Sequence, residues 1–244
     1  SAPVADAFVC LTPNQTTSFL AADLDPDVSG YLIAIAVDER TGCPINFNFL
    51  IGDEYVKLAS GHAANLAAVA FAALTGAPPA CDGNSVTAEI RFDGVSYNAT
   101  PRVLAVDGIS SAADGNSILL VIDRIGGNLG TGISTIGQIF GILYDDEEHA
   151  FSFERGTSRR QFRAILSNTD FPRTVPRFTN VIPSGRTGWM KFWRSDDGGI
   201  IGSVINFNPN TAASSSAFNQ GHNLHHLTLT TDSSFTVPVF PPNC

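Results

Sequence analysis

The motif Ile45-Asn46-Phe47-Asn48 occurs twice in this chain of 244 residues, the second time as Ile205-Asn206-Phe207-Asn208. A Gly-His pair follows each copy at the same spacing, as Gly61-His62 and Gly221-His222. Successive side chains of a strand point to opposite faces, so each motif places its Ile and Phe on one face and its two Asn on the other. The repeat therefore predicts two related strands whose Ile and Phe side chains pack in the core.

The similarity extends to both sides of the two motifs. Upstream, Gly30-Tyr31 corresponds to Gly188-Trp189, and downstream both copies end in Pro-Pro-x-Cys. We therefore predict two divergent repeats, residues 8–81 and 162–244, joined by a strand-rich insert at 82–161. A unit of four or five strands cannot easily bury both sheet faces alone, so we expect one domain over 1–244. The alternative is that β proteins reuse such motifs without duplication.

Short runs rich in β-branched and aromatic residues recur along the chain, and turn sequences such as Asp-Gly, Gly-Gly and Asn-Pro separate them. This pattern predicts an all-β protein, an antiparallel β-sandwich. Residues 117–125 are apolar at consecutive positions, which indicates a strand buried on both faces. Residues 62–76 differ, because they are rich in Ala and lie between Ser60 and Gly76. They predict at most one short helix.

The composition indicates an exported protein. Charged residues make up 15% of the chain, whereas about 25% is usual for soluble domains. The sequence begins Ser-Ala-Pro, which is typical of a mature end after signal-peptide removal, and no apolar run is long enough to span a membrane. Sequons occur at Asn14 and Asn98. We therefore expect a secreted or cell-surface location.

Four cysteines are present and none forms a C-x-x-C pair, which favours two disulfides over a thiolate metal site. Three pairings exist. Cys81 and Cys244 occupy equivalent positions in the two repeats, and Cys43 lies in the same repeat as Cys81. This placement favours Cys43–Cys81, with Cys10–Cys244 joining the chain ends.

Several stretches of the second half resemble a group of uncharacterised secreted bacterial proteins. They are GQIFGILYDDEEHAFSFERG at 137–156, FPRTVPRF at 171–178, IPSGRTGW at 182–189 and AFNQGHNLHHLTL at 217–229. That group has no established activity. The resemblance therefore implies that the protein is secreted, but it implies no mechanism.

Charge is segregated along the chain. Residues 155–194 hold nine basic residues against the single acid Asp170, and an acidic run immediately precedes them. These charges either pair within the fold or bring a basic face onto an acidic face of another copy, a head-to-tail contact that propagates. Because the net charge is −9, we do not expect nucleic acid as a partner. The candidate interface residues are Arg155, Arg159, Arg160, Arg163, Asp145, Asp146, Glu147 and Glu148.

Few residue patterns suggest chemistry. On one continuous strand, His222 and His226 would share a face and could offer two imidazoles to a metal. The alternative is that His62 and His222 each form a hydrogen bond with a turn in their own repeat. There is no G-x-S-x-G elbow. Tyr31 and Trp189 could stack on a sugar, or they could be equivalent core aromatics. We predict no enzyme activity and no cofactor.

These observations favour an exported structural protein that assembles with copies of itself outside the cell. A filament, a sheath or a surface layer would each fit, and the expected partner is the chain itself. An extracellular module that binds a glycan or a peptide is the alternative. A hydrolase with an unrecognised site is a third hypothesis.

Overall fold

A computed structural model describes residues 6–26, 30–210 and 219–241. Within these ranges the chain forms fifteen strands, two short α-helices and one turn of 3-10 helix at Ala112–Asp114. In chain order the helices and strands are α1 Ala21–Leu24, β1 Asp53–Lys57, β2 Ala63–Ala67, β3 Thr87–Arg91, β4 Thr100–Ser110, β5 Ser117–Arg124, β6 Gly127–Asn128, β7 Gly132–Ile133, β8 Gly137–Asp145, β9 Ala150–Thr157, β10 Gln161–Ile165, α2 Phe178–Val181, β11 Thr187–Arg194, β12 Ile200–Phe207, β13 Gln220–Asn223, β14 His225–Thr230 and β15 Ser234–Pro238.

Two antiparallel sheets pack face to face. One has the order β14-β4-β11-β8-β9 and the other β10-β5-β12-β13. The main hydrophobic cluster takes Leu104 and Phe192 from the first sheet and Leu120 and Phe162 from the second. Side chains that alternate towards the space between two sheets form the core of a sandwich. The all-β, antiparallel prediction is therefore confirmed.

A third sheet has the order β3-β15-β6-β7 and a core of its own. Ile90 and Phe235 are buried there, and Tyr31, Ile33 and Ile35 pack on them from an extended segment that belongs to no sheet. The hydroxyl of Tyr31 donates to the carbonyl of Arg124, with 3.1 Å between the oxygens. Residues 30–37 therefore act as a cover over this sheet.

The β1–β2 hairpin lies on the outer side of β12. Ala64 and Leu66 of β2 pack with Ile205, and Val56 of β1 closes the cluster. The side chain of Asn223 donates to the carbonyl of Ala67 at 2.6 Å. The hairpin therefore fixes residues of the predicted first repeat on strands of the second.

The predicted helix at 62–76 is wrong. Residues 63–67 form strand β2, in which Ala64 and Leu66 are buried and the residues between them are exposed. This two-residue alternation places Ala64 and Leu66 on the side that contacts Ile205. Five residue pairs with β1 hold the segment in the strand conformation. Helix propensity is a weak preference that such packing overrides. The two helices that do form each span four residues, at Ala21–Leu24 and Phe178–Val181.

The two copies of the Asn-rich motif have different environments. The second lies in β12, where Ile205 is buried between two neighbouring strands. The first forms no named strand, and Ile45 and Phe47 are exposed. The prediction that these two side chains pack in related core positions is therefore wrong. The prediction treated each motif as a strand paired with its neighbours, whereas no strand of the described residues pairs with the first motif.

The asparagines of the first motif bind backbone groups. The side chain of Asn46 donates to the carbonyls of Thr75 and Ala77, at 2.7 and 2.9 Å. Asn48 both donates to the carbonyl of Ala73 and accepts from its N–H, each at 2.8 Å. These bonds hold the segment in place through its polar side chains and leave its apolar side chains outside.

The disulfide between Cys43 and Cys81 is present, with 5.8 Å between the Cα atoms. It ties the turn after residue 37 to the end of the predicted first repeat. The other predicted pair includes Cys244, which lies outside the described residues. The duplication of 8–81 and 162–244 stays a prediction.

Candidate assembly surface

The acidic run that follows β8 is held within the chain. The carboxylate of Asp145 accepts the N–H groups of Glu147 and His149 in the turn to β9, at 3.0 and 2.8 Å. Arg186 forms ion pairs with Asp146 and with Glu147, the latter at 2.6 Å. Its guanidinium holds the pKa of Asp146 below the usual value. These contacts bind the predicted interface acids to a neighbouring loop of the same molecule.

The predicted interface arginines lie on different elements. Arg155 is on β9 of one sheet, Arg163 is on β10 of the other, and Arg159 is in the turn between them. None of these three forms an ion pair within the described residues. Arg160 lies close to the backbone at Gly132. The structure therefore does not gather these arginines with the acidic run into one face.

Exposed apolar side chains concentrate in the first quarter of the described chain. Residues 8–55 contain Phe8, Val9, Leu11, Phe19, Leu20, Leu24, Leu32, Ile45, Phe47, Phe49, Leu50, Ile51 and Tyr55, all of them exposed. Single exposed hydrophobic residues are ordinary, whereas contiguous ones mark interaction surfaces. The densest part is 45–55, which leads into strand β1.

One row of side chains in this segment forms what we call the acidic-apolar stripe: Phe49, Ile51, Asp53 and Tyr55. Alternation along an extended chain places these four on one side, and Val56 points the other way, into the hairpin cluster. Phe49 is 81% exposed, Ile51 99% and Tyr55 84%. Asp53 makes no ion pair within the described residues. The stripe is therefore an uncovered surface with one free negative charge.

The stripe also borders an open sheet edge. Strand β1 pairs with β2 in a two-stranded sheet, and no other strand of the described ranges adjoins it. An unpaired edge offers N–H and C=O groups to a further strand. The stripe therefore combines exposed apolar side chains with free backbone hydrogen-bonding groups.

A second surface feature is a groove of about 460 Å³ between β10 and α2, which we call the arginine groove. It is lined by Asn168, Thr169, Pro172, Arg173, Thr174, Val175, Arg177 and Phe178. Val175 is 94% exposed at its wall. Arg173 bonds the carbonyl of Thr169 at 3.2 Å, and neither Arg173 nor Arg177 forms an ion pair among the described residues. The groove thus joins two available positive charges to an apolar wall.

The outer face of the five-stranded sheet carries aromatic side chains. Trp189 of β11 stacks on Tyr144 of β8, with ring centroids 4.3 Å apart and an interplanar angle of 7°. Trp193 lies opposite Phe140 four residue pairs further along, and all four rings are half-buried. The ammonium group of Lys191 lies 5.8 Å from the centre of the Tyr144 ring.

The other binding candidate, Tyr31, occupies a different environment. Its ring packs on the core of the third sheet and lies 6.4 Å from that of Phe235. Burial raises the pKa of its hydroxyl, with a further contribution from the charge of Asp123. Of the two aromatic candidates, Trp189 is therefore the one on an accessible sheet face.

The predicted histidine pair is not brought together as expected. The chain leaves the four-stranded sheet at Leu224, so His222 lies in β13 and His226 in β14 of the other sheet. His222 instead lies beside His225, with ring centroids 5.7 Å apart, and His225 contacts Asp107 at 3.1 Å. No group of three or more side chains suited to a metal occurs in the ranges that the structure describes.

Asp123 is the buried carboxyl group of the second sheet. Its partner is the side-chain amide of Gln161, which donates at 3.1 Å. Burial raises the pKa of Asp123 to about 7; the bond from Gln161 opposes this, and the charge of Glu54 adds to it. The β1–β2 hairpin therefore lies close enough to β5 for its charges to act on this carboxyl.

Sequence reasoning missed both the stripe and the groove. Residues 45–52 have the composition of a core strand, and that composition predicts burial. The sequence does carry one indication, because Phe49, Leu50 and Ile51 are apolar at consecutive positions and two acids follow after Gly52. Arg173 and Arg177 belong to the basic segment 155–194, and nothing in the sequence separates them from its other members, because their position in one groove depends on the loop between β10 and α2.

The fold and these surfaces define an all-β, disulfide-bonded protein with a face-to-face sandwich and a large uncovered apolar segment. Neither helix of the described residues has the length and hydropathy to span a bilayer. No protein-family model matches the chain, and no curated protein or solved structure matches it significantly.

Proposed function

We propose that this chain is an exported, non-catalytic structural protein that assembles with copies of itself outside the cell. The observation that carries the proposal is the uncovered apolar segment 45–55, which has three side chains more than 80% exposed within seven residues. Water contact with such a segment is unfavourable by about 25 cal/mol for each Å² of apolar surface. Association that covers the segment removes this cost.

The size of the surface supports a protein partner. A whole aromatic side chain buries about 150–250 Å², so Phe49 and Tyr55 alone offer roughly 300 Å². A standard interface buries about 800 Å² on each partner. Ile51, Phe47 and Leu50 add further exposed area next to these two rings. The segment is therefore large enough to form the centre of a stable interface.

The chemistry of the remaining surface agrees with this proposal. The low charged fraction and the disulfide between Cys43 and Cys81 suit a protein that works outside the cell. An open edge at β1 suits association by strand addition. A filament, a sheath and a surface layer would all use contacts of this type.

Electron microscopy of the purified protein tests the proposal, with Ile51→Asp as the disrupting variant. We expect extended assemblies of the wild-type chain and their loss in Ile51→Asp, because the new charge would have to be buried. Val86→Asp is the matched control, since Val86 is also exposed but lies outside residues 8–55. Assemblies that survive Ile51→Asp as well as they survive the control count against the proposal.

The second candidate function is binding of an extracellular glycan or peptide. The aromatic face formed by Trp189, Tyr144, Trp193 and Phe140 favours it, because sugars stack on half-exposed rings. A glycan array compared between the wild-type chain, Trp189→Ala and Trp193→Ala tests this candidate. Binding that both substitutions weaken would support it, and the absence of binding would remove it.

A further inference from the structure

We infer that the acidic-apolar stripe of one copy docks in the arginine groove of the next, with Asp53 against Arg173 and Arg177. This inference rests on the proposed function and names the contact by which the copies join. The partner is a second copy of this chain because each surface supplies what the other lacks. The stripe has exposed apolar side chains and a carboxylate, and the groove has two guanidinium groups beside an apolar wall. Among the described residues none of these three charges forms an ion pair.

The two surfaces lie at opposite ends of strand β5. At one end the charge of Glu54, next to the stripe, acts on Asp123. At the other end Leu166 donates its N–H to the carbonyl of Ile118 at 2.9 Å, and the groove begins two residues later, at Asn168. Asp123 lies five positions after Ile118 in the strand, a distance of roughly 17 Å.

The direction of β1 keeps the stripe away from the groove of its own chain. After β1, the turn brings His62 to Ser117, with 2.9 Å between the imidazole Nε2 and the carbonyl oxygen. Strand β1 thus runs from the Asp123 end of β5 towards the Ser117 end. Phe49 and Ile51 precede β1 and lie still further from the groove. The stripe therefore meets a groove only on another molecule.

A contact between two different surfaces of the same chain is heterologous. Each copy in a row still has a free stripe at one end and a free groove at the other, so the contact propagates into a ring or a filament. Arginine forms planar, two-point bonds with carboxylates, which fixes the orientation of neighbouring copies. The apolar contacts beside the ion pair provide the buried surface area of the contact, and the charges determine which surface of the next copy is bound.

A charge-swap experiment tests the contact. Asp53→Lys places a positive stripe against a positive groove, and Arg173→Asp with Arg177→Asp places a negative groove against a negative stripe. We expect each variant alone to need at least ten times the wild-type concentration to assemble, as measured by light scattering. In a mixture, each stripe meets a groove of opposite charge, so we expect assembly at near the wild-type concentration with the two variants alternating.

Glu39→Lys is the control, because Glu39 is exposed and lies in a different turn. It changes the net charge by the same amount as Asp53→Lys and should assemble like the wild type. Circular dichroism of each variant checks that the sheets remain folded. If the wild-type chain stays monomeric, the proposed function itself fails. If it assembles and the charge swaps have no effect, or the mixture fails to recover, the stripe-and-groove contact is wrong and self-assembly stands.

Discussion

The imidazole of His62 packs against the ring of Phe207, with the ring centroids 5.8 Å apart. This contact joins the first Gly-His pair to the second Asn-rich motif. Beside it, Gly221 of the second Gly-His pair lies against Ala64 of the first repeat. The two Gly-His pairs therefore mark the junction where the β1–β2 hairpin meets β12 and β13.

Gly61→Ala tests the importance of this junction. Gly61 has a φ of +94°, and an added Cβ would lie 2.6 Å from Cζ of Phe207. Left-handed backbone and crowding each disfavour a side chain here, so we expect a loss of about 1–3 kcal/mol in the free energy of unfolding. Denaturant unfolding measures this loss. Gly76→Ala is the control, because no atom lies within 4 Å of its added Cβ, and an equal effect of both changes would argue against a tight junction.

The disulfide offers a second prediction. Cys43 and Cys81 are 38 residues apart, and closing a loop of this length lowers the entropy of the unfolded chain by an amount worth about 4 kcal/mol. We expect the variant Cys43→Ser/Cys81→Ser to lose roughly 2–4 kcal/mol of stability. The variant isolates this bond, whereas a reducing agent would also act on Cys10. A change below about 1 kcal/mol would show that the turn is held by its other contacts.

A third prediction concerns pH and Asp123. Its pKa is raised from 3.8 to about 7 in the folded protein, so the folded state holds a proton that the unfolded state has already released. The contribution of Asp123 to stability is therefore fully present below about pH 4 and is lost as the pH rises through about 7, because the carboxylate must then be charged while buried. The full difference corresponds to roughly 4 kcal/mol.

Asp123→Asn removes the titrating group and retains an oxygen that can accept from Gln161. We expect this variant to be more stable than the wild type at pH 8, by on the order of 1–4 kcal/mol, and to show a flatter dependence between pH 4 and 8. Thermal unfolding at several pH values measures both. The exposed Asp23→Asn is the comparison, and an unchanged pH profile in Asp123→Asn would contradict the assignment.

Local patterns along the sequence predicted much of the fold. The consecutive apolar residues of β5 indicated a strand buried on both faces, and Leu120 and Ile122 do lie in the main core while Leu119, on the opposite face, is also buried. The Cys43–Cys81 pair was predicted from the placement of the cysteines in the two proposed repeats, and the structure contains it. Both features depend on composition and on order along the chain, which the sequence contains.

The features that the sequence did not predict depend on which segments pack next to each strand in the folded protein. Ile45 and Ile205 begin identical motifs, yet only Ile205 has paired strands on both sides. Residues 63–67 have the composition of a helix but form β2, because Ala64 and Leu66 meet Ile205. The separation of His222 from His226 follows from the passage between two sheets at Leu224. Local periodicity does not identify contacts between residues that are distant in the sequence. The candidate surfaces could therefore be recognised only in the folded structure.

We propose that copies of this chain join through their uncovered apolar segment. Sedimentation velocity of the purified wild-type chain, over a wide concentration range at physiological salt, is the decisive test of this association. We predict species much larger than the 25.8 kDa monomer, in a fraction that grows with protein concentration. A single monomeric species at the highest concentration would contradict the claim.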